Sequence, residues 1–276
     1  MYFEVNDMTF TKEKFDIVIQ AGQSNSEGCG IGPLDEPVYS VDGDIMHLTP
    51  DFTATVATVD GLENLFVTYL DKPFDISYAN EHEKDGGTAA DYSLTFAEEY
   101  KKAGYLKSGR KLLVIRAAIG GTGFMKKHWG MQDKVYLKMI EMIDYALSLN
   151  PENKLVAFLW HQGEHDAFEK NPPDTYEKQL EAMLNSVRNR YSVPTLPFVC
   201  ADFVNEWKSK NIDICEPIIE KIKAVTKRAG GEFIETSDLP SNNQKIANGD
   251  DIHFCRQSIY ELGRRYFTAF DKIMKR

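Results

Sequence analysis

The sequence predicts an α/β fold, a three-layer α/β/α sandwich around a central parallel sheet of about five strands. Three observations carry that expectation. Strand-like and helix-like runs alternate along most of the chain. The strand-like runs are nearly all apolar rather than alternating, which suits parallel strands covered on both faces. The helix-like runs close on glycine, proline or basic residues.

In order, the strands are "FDIVIQA" (15–21), "KLLVIRAAI" (111–119), "KLVAFLW" (154–160), "LPFVCADF" (196–203) and "GEFIET" (231–236). Between them, "DYSLTFAEEYKKAG" (91–104) stops on Gly104 and "VYLKMIEMIDYALSLN" (135–150) stops before Pro151. Runs 174–191 and 216–230 share an acidic start and a basic or glycine end. The last run, 256–275, sets Ile259, Leu262, Tyr266, Phe270, Ile273 and Met274 on one stripe, an amphipathic helix that closes the fold. Residues 31–88 break the rhythm with Gly, Pro and Asp turns and short β-like pieces: "DIMHLT" (44–49), "TATVATV" (53–59) and "LFVTYL" (65–70). They read as a loop-rich insertion on the C-terminal edge of the sheet, the kind of long excursion that forms walls and lids. Residues 1–276 are otherwise expected to form one domain.

A formal net charge of −10 argues against nucleic acid or an anionic membrane as the main partner. No apolar stretch approaches a bilayer span, and the N-terminal residues lack the apolar core of a secretory signal. The cysteines Cys29, Cys200, Cys215 and Cys255 are scattered, with no Cys-x-x-Cys pair, which predicts thiols and a cytoplasmic protein.

Parallel sheets collect active groups where strands end. Here those ends carry Gly22-Gln23-Ser24-Asn25, "IGGTGF" (119–124) and "HQGEHDAF" (161–168), with "GDDIHF" (249–254) just before the closing helix. Packing calls for none of these residue types. A serine hydrolase needs a hydroxyl, a base, a group that orients the base, and donors for an oxyanion. Ser24 is the candidate hydroxyl. Asp250, three residues ahead of His253, can hold one ring nitrogen while the other faces Ser24. Gly120 and Gly121 can offer bare backbone N–H groups at close range, and Gln162 a side-chain amide.

"GQSN", "GGT", "WHQGEHDA" and Asp-x-x-His-Phe, in this order from Phe15 to about Phe267, resemble the four blocks of the sialate O-acetylesterase-like branch of the SGNH hydrolases, the carbohydrate acetylesterases of family six. The resemblance implies Ser24 as nucleophile, His253 as base and Asp250 as its orienting acid. It implies an oxyanion hole from the Ser24 N–H, a glycine N–H of Gly120-Gly121 and Gln162. Gln23, Asn25, Glu164 and Asp166 would support the site, with Trp160 packed beneath. The implied substrate is a small acetylated sugar, with no cofactor and no metal. Two departures stand out: Ser26 where relatives usually carry methionine, and Trp129 further along than expected. Phe124 and Trp129 are candidate substrate-wall residues, together with Tyr78 and His128.

Two other readings compete. His161-Gln162-Gly163-Glu164-His165 matches the His-x-x-Glu-His zinc-peptidase signature, which needs a helix to bring both imidazoles to one metal. Here the motif follows a strand directly and contains a glycine. A carbohydrate-binding protein without catalysis would keep the aromatic wall but would not need a base. Within the serine reading, Ser26 is the rival hydroxyl and Asp251 the rival acid.

Overall fold

The computed structural model describes residues 10–50, 74–84 and 86–276. The strands are β1 (Phe15–Gly22), β2 (Ile45–Pro50), β3 (Phe74–Tyr78), β4 (His82–Lys84), β5 (Gly87–Ala89), β6 (Lys111–Arg116), β7 (Lys154–His161), β8 (Phe198–Ala201) and β9 (Glu232–Ile234). The helices are α1 (Ser24–Glu27), α2 (Ser93–Lys102), α3 (Lys134–Ser148), α4 (Glu164–Phe168), α5 (Pro173–Arg190), α6 (Asn205–Lys210), α7 (Ile212–Arg228), α8 (Asn242–Ile246) and α9 (Arg256–Met274).

One seven-stranded sheet runs in the order β3-β2-β6-β1-β7-β8-β9. Every pair is parallel except β2–β3, which is antiparallel. The five expected strands form its parallel body. The sequence estimate fell short because the 31–88 segment adds β2 and β3 to the sheet instead of standing apart from it. Ile45, Met46 and Leu48 of β2 are fully buried, so the strand gains apolar burial on joining β6. A separate hairpin, β4–β5, follows. The β-like pieces 53–59 and 65–70 lie outside the described residues.

Side-chain alternation along β1 divides the core. Ile17, Ile19 and Ala21 face α3, α5 and α7, whereas Val18 faces α2 and α9. Helices thus cover both faces and β1 lies between β6 and β7, which accounts for its burial at every position and its Ile17-Val18-Ile19 run. The α9 stripe packs through Ile259, Leu262, Tyr266 and Phe270, while Met274 emerges into solvent. All four cysteines are buried free thiols. Among the described residues no helix is long and apolar enough to cross a membrane.

Candidate active site

The chain leaves β1 under tight constraint. Gly22 has φ +141°, and a Cβ there would stand 2.0 Å from the His161 carbonyl oxygen, so only glycine fits. The Gln23 N–H then donates to that same carbonyl at 3.0 Å, tying the turn to the end of β7. Ser24 opens α1, so its own N–H has no acceptor within the helix.

His253 faces this turn from 229 residues away, its Nε2 2.8 Å from Ser24 Oγ. Its Nδ1 lies 2.9 Å from both Asp250 carboxylate oxygens. With the Nδ1 proton donated to Asp250, Nε2 is left as the acceptor for the Ser24 hydroxyl. Burial pushes the Asp250 carboxyl up, but hydrogen bonds from His253 and Asn242 outweigh it and hold the group below its ordinary value. Asn242 is a support that sequence reasoning missed. Its Nδ2 donates to Asp250 Oδ2 at 2.8 Å and its N–H to the His253 carbonyl at 2.8 Å. The available signal was the Ser241…Gln244 capping box that places Asn242 at the start of α8. Asp251 is turned away and pairs with Lys210 at 2.8 Å.

Asn25 joins three pieces of chain. Its Nδ2 donates to Glu164 Oε1 at 2.9 Å and to the Ile252 carbonyl at 3.1 Å, and its Oδ1 accepts the Phe254 N–H at 3.1 Å. Gln23 Oε1 accepts the His165 N–H at 3.1 Å. Burial pushes the Glu164 carboxyl up, with the Asn25 bond opposing. Asp166 organises the loop after "GGT", accepting the N–H groups of Phe124 and Met125 at 2.9 and 2.8 Å.

Several expectations need correction. The Gln162 amide does not stand free: Nε2 donates to Asp166 Oδ2 at 2.7 Å and to the Thr122 carbonyl at 3.2 Å. Residue spacing located this side chain but could not set its direction. The Gly120 N–H is also engaged, by Glu27 Oε2 at 2.7 Å. Gly121, with φ +69°, has open space beside it. Phe124 and Trp129 are not wall residues. They are 2% and 0% exposed, and both pack against Trp160, Trp129 edge-on at 5.0 Å. Their apolar area is better buried in the core than held at a wet rim. Tyr78 is partly buried against the same core, and the His128 Nδ1 accepts the Gly123 N–H. The zinc signature does not converge. The His161 ring is enclosed between Tyr92 and Phe254 at 6.3 and 5.7 Å, whereas His165 lies beside His128 and Glu169. Among the described residues no cluster of three or more His, Cys, Asp or Glu side chains is placed to hold a metal ion.

A buried polar layer underlies the Ser24 turn. Arg116 Nη2 donates to the Glu27 carbonyl at 2.5 Å and its Nε pairs with Asp91 at 3.0 Å. His82 Nε2 is 3.0 Å from the Gly28 carbonyl. Burial keeps His47 and His161 neutral, pushed down to about 3, and His82 to about 4; Arg116 adds to the shift at His47 and His82 while Asp91 opposes it. These folded values lie below the unfolded value of about 6.5. Their stabilisation is therefore complete above that pH and is lost as pH falls from about 6.5 toward 4, by up to about 1.4 kcal/mol per pH unit per histidine. The urea midpoint is expected to drop clearly between pH 7 and pH 5. A flat midpoint over that interval would mean that the three imidazoles are not held neutral.

The sequence model of one family, described as "Carbohydrate esterase, sialic acid-specific acetylesterase", matches residues 14–272. A probable carbohydrate esterase of Arabidopsis thaliana is 26% identical over 86 residues, 31% of this chain and 32% of its own length. A probable 9-O-acetyl-N-acetylneuraminic acid deacetylase of Escherichia coli K12 is 23% identical over 153 residues, 47% of this chain and 46% of its own length. The chain thus spans from about a third to just under half of these curated relatives. Among solved structures, NanS superposes with a TM-score of 0.74 at 16% identity, covering 96% of this chain and 98% of that one. A carbohydrate acetylesterase of Xanthomonas citri gives 0.63 at 17% identity, covering 94% and 56%. At these identities the two superpositions establish a shared fold.

Proposed function

The chain belongs to the carbohydrate esterase family of sialic acid-specific acetylesterases, and we propose that it is a single-domain serine esterase that removes O-acetyl groups from an acetylated sugar through an acyl-enzyme on Ser24. The observation that carries this reading is the continuous line Asp250–His253–Ser24, with contacts of 2.9 and 2.8 Å at the rim of the sheet.

His253 Nε2 takes the hydroxyl proton as Ser24 Oγ attacks the acetyl carbonyl, and Asp250 stabilises the imidazolium that forms. His253 then returns the proton to the departing sugar oxygen. Water, activated by the same imidazole, releases acetate from Ser24. The oxyanion is received by the Ser24 N–H and a glycine N–H of the Gly120-Gly121 turn. Gln162, committed to Asp166 and Thr122, braces that turn from below.

Treatment with a fluorophosphonate, followed by intact mass and peptide mapping, tests the reading. One adduct per chain on Ser24 is expected, with acetate release from O-acetylated sialic acid lost in parallel and unaffected by a chelator. Failure of the label, or loss of activity on chelation, would refute the serine assignment.

A further inference from the structure

We propose that Glu27 is a specificity-determining residue of this site, an internal carboxylate that guards one donor of the acyl-oxygen position against carboxylate ligands and yields it to neutral esters. The proposal rests on the serine-esterase reading. The Glu27 carboxylate accepts the Gly120 N–H at 2.7 Å. A Cβ built on Gly120 would lie 3.0 Å from Glu27 Oε2 and 3.5 Å from the Ser24 Cβ, so donor, nucleophile and carboxylate share one small space. The main chain of Glu27 is fixed at both ends: its N–H donates to the Gln23 carbonyl at 2.8 Å, and its own carbonyl accepts from Arg116 at 2.5 Å. Freedom belongs to the side chain, which is about a quarter exposed, and Lys84 Nζ stands 3.3 Å from its other oxygen. The carboxylate thus bridges the two groups, Oε2 on the Gly120 N–H and Oε1 beside the Lys84 ammonium.

On the Gly120 N–H it sits as the carboxylate of a bound acetate would. An oxyanion forming beside it would meet a like charge, so turnover requires Oε2 to leave the Gly120 N–H, the carboxylate being held by Lys84 alone, while the ester carbonyl takes that N–H. A neutral ester approaches without repulsion. Acetate, or an acyl chain that ends in a carboxylate, approaches against a like charge.

The test uses the full chain, p-nitrophenyl acetate as substrate and sodium acetate as inhibitor. Glu27→Ala is expected to tighten acetate inhibition about tenfold or more, the factor that removing one like charge a few ångströms away in a half-wet site provides. Glu27→Gln, which keeps the shape and loses the charge, should fall between, so the test survives if the alanine variant does not fold. Both should raise kcat/KM for the neutral ester, because the Gly120 N–H no longer has to be vacated. Lys84→Met should lower it by removing the cation that holds the carboxylate when it leaves the donor, and that loss should disappear in the Glu27→Ala/Lys84→Met double variant. Unchanged acetate inhibition in active Glu27 variants, or collapse of hydrolysis in Glu27→Gln, overturns the proposal. An unmodified chain with no esterase activity and no phosphonate adduct would instead overturn the reading beneath it.

Discussion

Replacing Ser24 with alanine is expected to reduce turnover of an acetyl ester by about 10⁴–10⁶-fold while moving the thermal midpoint by no more than about 4 °C, the shift that 1 kcal/mol produces in a chain of this size. The two effects separate because Ser24 is 8% exposed and its hydroxyl meets only the His253 ring among the described hydrogen bonds. Ser26 gives the matching control. It is fully buried, its Oγ 2.7 Å from the Tyr92 hydroxyl and donating to the Ala21 carbonyl at 3.2 Å. Ser26→Ala should therefore cost stability, about 1–3 kcal/mol, with the chemistry retained in the folded fraction. Steady-state hydrolysis and a thermal melt on both variants decide the matter. The nucleophile assignment fails if Ser24→Ala stays active and Ser26→Ala does not.

The second large effect is on folding. Asp91→Ala should destabilise the protein by about 3–5 kcal/mol, the usual cost of removing one partner from a buried ion pair. Asp91 is 1% exposed, pairs with Arg116 Nε at 3.0 Å and accepts the Ser93 N–H and hydroxyl at 2.8 and 2.5 Å. Burial pushes its carboxyl up, yet Arg116, His47 and Ser93 outweigh that and hold it below the ordinary range. Without it the Arg116 guanidinium, nine-tenths enclosed, faces no countercharge among these contacts and loosens its grip on the Glu27 carbonyl at the end of the Ser24 turn. Urea unfolding at pH 7 measures the loss. Adding Arg116→Met should recover much of it, because an apolar replacement of both partners removes the stranded charge. A loss below about 1 kcal/mol for Asp91→Ala would show that this pair does not hold the turn.

The body of the sheet was legible because both-sided burial leaves a plain mark: "IVI", "LLVI" and "VAFLW" are apolar at successive positions. β2 was harder to assign. His47 interrupts its apolar run, and only its pairing with β6 beside Ser93 explains a histidine there. The turn residues of the site were legible for a similar reason, since nothing in packing asks for Gly-Gln-Ser-Asn at a strand end. Directions of side chains were not. Gln162 turns inward because Asp166 and Thr122 offer acceptors there, and Phe124 and Trp129 turn inward because Trp160 lies beneath them. Glu27 carried no sequence signal at all, since an acid one turn past a serine looks like ordinary helix surface. Its meaning depends on Gly120, brought alongside from 93 positions away.

Asn25 has a consequence for how competence arises. Its three hydrogen bonds reach Glu164, Ile252 and Phe254, so the reacting atoms meet only after the last stretch before α9 has docked onto the first strand's turn. No partially assembled form of the chain that lacks this docking holds an imidazole against the hydroxyl. Regain of hydrolysis during renaturation is therefore a clock for the final long-range closure, and it should lag behind the return of helical circular dichroism.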